Sequence, residues 1–304
     1  MITWAAGPVT VRVPATSANL GPGFDGLGLA LTLYDHVTAR VTPGGLDLEV
    51  TGVGEDTAQA GERHLVVRAM RAAFDSIGAQ PPGISLSCRN EVPHGFGLGS
   101  SAAAIMAGLL AGRALAGPDG LTALPDPELL GLAARIEGHP DNVAACLLGG
   151  LTIAWRQAPG PVEAIRVEPL AGLAPVVCVP DAPLSTELAR KALPAEVPHA
   201  DAAANAARTA LLVVALTERR DLLLAGTEDF LHQRYRAAAL PVTADLITEL
   251  REAGIAAAVS GAGPSVITFP ADGAATALVA ERAKAGGWRV LRLVVDAEGA
   301  VLVP

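Results

Sequence analysis

One segment, Pro93-His94-Gly95-Phe96-Gly97-Leu98-Gly99-Ser100-Ser101-Ala102-Ala103-Ala104, limits what this 304-residue chain can fold into more than any other. Glycine at every second position lets backbone N–H groups converge on a ligand without Cβ interference. The Ala-rich run Ala102–Ala116 that follows reads as a helix, whose N-terminus attracts negative charge. With the strand-like Ile84–Cys88 just before it, the order is strand, glycine loop, helix: a phosphate cradle. It is not a Walker A loop, because Gly-Lys-Ser/Thr is missing and lysine is nearly absent from the chain. It is not a dinucleotide fingerprint either, because the glycine spacing differs and no acid follows at the ribose distance. Taken alone, the segment also reads as a glycine turn capped by Ser100 or Ser101.

The chain is 51% hydrophobic, enough to bury a substantial core in two modest domains or one large one. A formal charge of −9, from 31 acidic and 22 basic side chains, gives no footprint for nucleic acid or anionic lipid. Small solutes are the expected partners, and a nucleotide is admissible where arginines, a helix N-terminus and a divalent cation gather. Cys88, Cys146 and Cys178 lie far apart among apolar residues and read as buried thiols of a cytoplasmic protein. No leader peptide is expected, since no basic region and apolar core open the chain. The apolar runs Ala102–Gly112 and Val143–Ala154 fall short of the roughly 20 residues of a membrane span, so no membrane partner is expected.

Period-two alternation predicts strands at Val9–Pro14, Tyr34–Val41, Leu46–Val50 and Ile84–Cys88, with a helix over Leu65–Ile77. Asp126 before Pro127 reads as the N-cap of a helix over Glu128–Ile136. Strands follow at Leu151–Trp155, Ala164–Val167 and Pro175–Val179, then helices at Thr186–Leu193, Ala200–Thr217, Asp221–Arg236 and Val242–Ala253. A strand–loop–strand at Ile255–Phe269, a helix at Ala274–Ala285 and a strand at Arg289–Val295 close the chain. The turn Pro159-Gly160-Pro161 is taken as the seam between domains 1–158 and 159–304. Clustered strands with helices to one side predict an α+β fold.

Three further segments are dense in polar groups: Pro14–Asp25, Glu137-Gly138-His139-Pro140-Asp141-Asn142, and Ser260-Gly261-Ala262-Gly263-Pro264-Ser265. Each alone reads as a surface loop, a helix end or a tight connection. In this order, the four segments together resemble the GHMP kinase superfamily. The wording Pro-Ala-Thr-Ser-Ala-Asn-Leu-Gly-Pro-Gly-Phe-Asp at Pro14–Asp25, with that of Glu137–Asn142, resembles the homoserine kinases among them. The resemblance runs from about residue 9 to about residue 270. It implies a ribosomal-S5-like N-terminal domain and a ferredoxin-like C-terminal domain, with ATP and substrate in the cleft between.

By the same resemblance, Pro93–Ala103 binds ATP, with the amides of Gly95–Ser101 around the triphosphate. Ser101 and Glu137 are the expected ligands of Mg²⁺. Asn19, Asp25, His139, Asn142 and Gly261 are expected around L-homoserine, with Asp25 on its ammonium. Arg190 and Arg236 clamp its carboxylate, beside Thr186, a role that suits a guanidinium fork; Arg234 stands close enough in sequence to compete with Arg236. Activation of the hydroxyl falls to Asp141 as general base or to Asn142 as an orienting amide. Arg63-His64-Leu65-Val66 is the expected adenine pocket, and a homodimer follows from the resemblance. A kinase for mevalonate or a diphosphocytidyl-methylerythritol is the alternative, against which the arginines and Asp25 weigh; a non-catalytic member is another, against which the intact Ser101, Glu137 and glycine loop weigh.

Overall fold

The computed structural model describes residues 2–183 and 186–303, the side chains of residues 186–188 excepted. The first half contains β1 (Val9–Asn19), β2 (Gly23–Thr42), β3 (Gly45–Gly52), α1 (Leu65–Ile77), β4 (Gly83–Asn90), α2 (Ser100–Leu115), α3 (Gly117–Ala123), α4 (Asp126–Glu137), α5 (Asp141–Leu148) and β5 (Leu151–Arg156). The second continues with β6 (Val162–Val167), β7 (Val176–Val179), α6 (Thr186–Lys191), α7 (His199–Thr217), α8 (Leu223–Gly226), α9 (Gln233–Arg236), α10 (Pro241–Glu252), β8 (Ala256–Val259), β9 (Val266–Phe269), α11 (Gly273–Ala285), β10 (Arg289–Arg292) and β11 (Val301–Val303). The class is α+β, as the strand clustering predicts.

A seven-stranded sheet runs β11-β1-β2-β4-β3, with β5 and β6 attached through β2, and a four-stranded sheet runs β10-β7-β9-β8. The Pro159–Pro161 turn, read above as the seam, lies within the larger sheet. β6 lies beyond the Pro159–Pro161 turn yet pairs with β5, because Leu151–Arg156 and Val162–Val167 form an antiparallel hairpin. β11, which sequence periodicity did not mark, returns to the same sheet beside β1.

Three cores hold the layers together. On one face of the larger sheet, Val11, Val13, Val37 and Leu86 meet α1, α2, α4 and α5. Helix α1 shows why: Val66, Val67, Met70, Ala73 and Phe74 fall on one helical stripe and are buried. Each of the larger side chains contributes about 1.5–3 kcal/mol of burial. The helix stops at Gly78, whose φ of 81° is open to glycine and which donates to the Asp75 carbonyl.

A register shift between Pro14 and Ala15 then turns the strand pair over. Val11 and Val13 face the helices, whereas Ala15 faces a second core shared with Leu29, Val177, Leu212 and Ile267. The far end of β1 and β2 is thereby carried into the cleft between the two sheets. The outer face of the smaller sheet packs on α10 and α11 through Leu246, Leu250, Val279 and Trp288.

Two local expectations are corrected. Asp126 lies inside α4, capped by Pro125 with no side-chain bond, and its carboxylate pairs with Arg113 at 2.6 Å. The helix predicted over Asp221–Arg236 breaks into α8 and α9. The Asp229 carboxylate accepts from the backbone of Leu231, His232 and Gln233 at 3.1, 3.0 and 2.6 Å, which starts a new helix there.

Candidate active site

The glycine loop is held by its own stereochemistry. Gly95, Gly97 and Gly99 have φ of 79°, 71° and 69°, and Gly99, not Ser100 or Ser101, caps α2. A Cβ at Gly97 would overlap the Ser260 carbonyl, and one at Gly99 would overlap Thr16 Oγ1. Glycine is required at both for handedness and for close approach. The Ser260 hydroxyl donates to the Gly97 carbonyl at 2.6 Å, and the Gly261 amide donates to Ala18 at 3.0 Å. Segments far apart in sequence are thus stitched at one point.

A cavity of about 310 Å³ opens there. Gly95, Gly97, Gly99, Ser100 and Ser101 form one wall, Glu137, His139, Asp141 and Asn142 another, and Asn19, Asp25, Arg190, Arg236 and Gly261 the rest. The other residues of Pro93–Ala103 do not line this cavity. Leu98 is buried in the second core with Phe96 packed against it, Ala102 sits in the first core, and Pro93 is buried. His94 and Ala103 face a neighbouring cavity. Thr186 opens α6, but its side chain lies outside the described residues.

The β1–β2 turn is built from unusual backbone: Asn19, Leu20 and Asp25 have φ of 67°, 53° and 54°, which costs non-glycine residues energy. Asn19 offsets that cost by donating to the Gly261 carbonyl at 2.8 Å and accepting from the Asp25 amide at 2.9 Å. Asp25 in turn pairs with Arg190 at 2.8 Å. Arg190 and Arg236 lie 5.9 and 5.6 Å from the Phe24 ring centre, within cation–π range. Arg236 is 1% exposed, and burial, aided by the nearby Arg190 charge, pushes its pKa down to about 10. Arg234 points elsewhere, to Asp201 and Tyr235.

The remaining wall is a chain of polar contacts. Ser101 donates to Glu137 Oε1 at 2.6 Å, and burial raises the Glu137 pKa against the opposing pull of that bond and of His139. His139 Nδ1 lies 2.6 Å from Asp141 Oδ1. Burial disfavours charge on the ring, but the hydrogen bond and the charges of Asp141 and Glu137 outweigh it and raise the His139 pKa. Two oxygen donors beside a glycine loop, one a buried carboxylate, suit a hard divalent cation. Asp25, His139 and Asp141 also offer ligand atoms within 4.8 Å of one another; Arg190 already supplies the opposite charge to the first of these.

Two residues of this site carried no assignment from sequence. Thr16, inside the first segment, donates to Asn142 Oδ1 at 2.7 Å. His232 is fully buried and bonded to Arg236, four residues away on one turn of chain, a spacing that places both on one helical face. The second cavity, also about 310 Å³, touches Ser100 and Ser101 and is lined by Arg63, His64, Leu65 and Val66, the segment expected to receive the base. The cysteines are buried and free. Among the described residues, no helix is long and apolar enough to cross a membrane.

Models of the GHMP kinase N-terminal and C-terminal domains match residues 64–150 and 212–287. The homoserine kinase of Streptomyces avermitilis is 55% identical over 300 residues, 98% of this chain and 97% of its own. This chain belongs to the homoserine kinase family of the GHMP kinases. A second relative, the homoserine kinase of Leifsonia xyli subsp. xyli, is 50% identical over 97% of this chain and 91% of its own. The crystal structure of homoserine kinase from Cytophaga hutchinsonii superposes with a TM-score of 0.84 at 26% identity, covering all of both chains. Mevalonate kinase of L. major shares the fold at a TM-score of 0.69 and 17% identity, over 98% of this chain and 99% of its own. The chain is accordingly an ATP-dependent kinase.

Proposed function

We propose that this chain transfers the γ-phosphoryl group of MgATP to the hydroxyl of L-homoserine, giving O-phospho-L-homoserine and ADP. One observation carries the substrate: a carboxylate, Asp25, and two guanidiniums, Arg190 and Arg236, meet in the cavity walled by the glycine loop. An amino acid presents an ammonium and a carboxylate, and these groups answer both. Asp25 takes the ammonium, while the arginines take the carboxylate through charge-assisted bonds. An isoprenoid alcohol has no ammonium for Asp25.

The loop amides and the N-terminus of α2 bind the triphosphate, and the base lies in the second cavity against His64–Val66. Ser101 and Glu137 hold Mg²⁺, which, when bound, offsets charge on the phosphates. Phosphoryl transfer asks mainly for positioning and charge complementarity. Asn142, its carbonyl held by Thr16, orients the hydroxyl with its amide. Asp141, held by His139 and the Asn142 backbone, places its carboxylate beside it. Buried free thiols and a small-solute substrate fit a cytoplasmic enzyme of threonine biosynthesis, and the family resemblance adds a homodimer.

The test is ADP release with homoserine, 4-hydroxybutyrate, 3-aminopropan-1-ol, mevalonate and diphosphocytidyl-methylerythritol. Turnover should be fastest with homoserine and fall steeply when either the ammonium or the carboxylate is removed. Equal turnover with either truncated analogue would contradict the clamp.

A further inference from the structure

His232 has no place in the reaction so far, yet both ring nitrogens are committed. Nε2 lies 2.8 Å from the Gly21 carbonyl oxygen, which only accepts, so Nε2 carries the proton. Nδ1 lies 3.1 Å from Arg236 Nη1, which only donates, so Nδ1 accepts. These two bonds fix one neutral tautomer in a ring that is 0% exposed. Burial lowers its pKa, as does Arg236, against the nearby Asp229 carboxylate at 3.6 Å.

The two partners lie on opposite halves of the amino-acid clamp. Gly21 belongs to the strained β1–β2 turn, between Asn19 and Asp25, and Phe24 of that turn stacks on the imidazole with ring centres 5.2 Å apart. Arg236 is held on its other side by the Ala189 and Gly261 carbonyls, at 3.1 and 3.4 Å. Among the described residues, Nη2 of Arg236 takes no protein partner, which leaves it for a carboxylate in the cavity. A guanidinium with its other N–H groups anchored loses less freedom when it binds than a free one does.

We propose that His232 is a positioning residue that sets the spacing between the carboxylate-binding Arg236 and the turn carrying the ammonium-binding Asp25. The inference rests on the amino-acid clamp proposed above. Removing the imidazole acceptor leaves Arg236 Nη1 only its long bond to the Gly261 carbonyl and loosens the turn, so the affinity for the amino acid falls while the nucleotide side is untouched.

The test compares His232→Asn, His232→Gln and His232→Leu with the wild type in steady-state kinetics and thermal melts. Asn returns an acceptor near Nδ1, whereas Gln returns a donor near Nε2 only. His232→Leu should raise KM for homoserine by about tenfold or more, the scale of one lost hydrogen bond to a charged group. His232→Asn should recover most of that loss, His232→Gln little, and KM for ATP should stay within about twofold. In an Arg236→Ala background the Leu effect on KM should shrink to the part carried through the Gly21 turn, since one of the two groups it positions is gone. If Leu at 232 prevents folding, the Asn and Gln variants carry the same contrast. KM for homoserine unchanged in folded variants, or a loss fully additive with Arg236→Ala, overturns the proposal. A wild type inactive on homoserine would instead overturn the function on which it rests.

Discussion

Thr16 donates its hydroxyl proton to the side-chain carbonyl of Asn142 at 2.7 Å in the buried floor of the cleft. The bond joins the segment Pro14–Asp25 to Glu137–Asn142 and settles which way the amide faces: its oxygen is taken, and its NH₂ is left for the cavity. Asp141 is differently placed, with one carboxylate oxygen accepting from both the Asn142 backbone N–H at 2.8 Å and His139 at 2.6 Å. That oxygen is already engaged by two partners, whereas the Asn142 NH₂ is left for the substrate. Asn142→Ala is therefore expected to lower kcat by about 100-fold through lost orientation, and Asp141→Asn by about tenfold or less. Both are read from kcat across pH. A larger loss in Asp141→Asn, with disappearance of the acidic limb of the profile, would make Asp141 the general base.

The Ser101–Glu137 contact predicts a joint dependence on metal. Ser101→Ala and Glu137→Gln should each lower kcat by about 100-fold or more, with melting temperatures close to the wild type, and should raise the Mg²⁺ concentration for half-maximal rate. Unchanged turnover and unchanged Mg²⁺ dependence in both variants would remove these residues from the metal site.

The three arginines near the clamp should separate cleanly. Arg190→Ala and Arg236→Ala should raise KM for homoserine by roughly 10–100-fold, the equivalent of a charge-assisted bond of about 1.5–3 kcal/mol. Arg234→Ala should leave it unchanged, because Arg234 is paired with Asp201 outside the cavity. A rise in KM for ATP instead would move Arg190 and Arg236 to the nucleotide.

His139 predicts a pH dependence of stability. Its pKa is raised above the ordinary 6.5, so the protonated ring on Asp141 stabilises the fold fully below that value, and the contribution is lost as pH rises through the raised one. The melting-temperature gap between wild type and His139→Asn should be widest in acid and narrow towards alkaline pH. A gap that widens as pH rises would reverse the assignment.

Local periodicity and turn chemistry made much of this legible in the sequence. Helix α1 ends at the expected residues because its apolar stripe is long and Gly78 stops it. The glycine loop is recognisable because handedness restricts Gly97 and Gly99 to one residue type. The Asp229 cap that divides Asp221–Arg236 was hidden, since apolar residues continue at helical spacing across it. Contacts such as His232 with Gly21, 211 residues apart, leave no periodic trace, and the turnover of β1 at Ala15 depends on a register that only the sheet defines.

The central claim is that an amino-acid hydroxyl is the acceptor. Incubating the protein with Mg²⁺, equimolar homoserine and mevalonate, and ATP labelled in the γ-phosphoryl group tests it most directly, with products resolved by mass spectrometry and phosphorus NMR. Label is expected in O-phospho-L-homoserine, one equivalent for each ADP formed, with loss of that product in Arg236→Ala at low homoserine. ADP with labelled inorganic phosphate alone, or label on mevalonate in preference to homoserine, would contradict it.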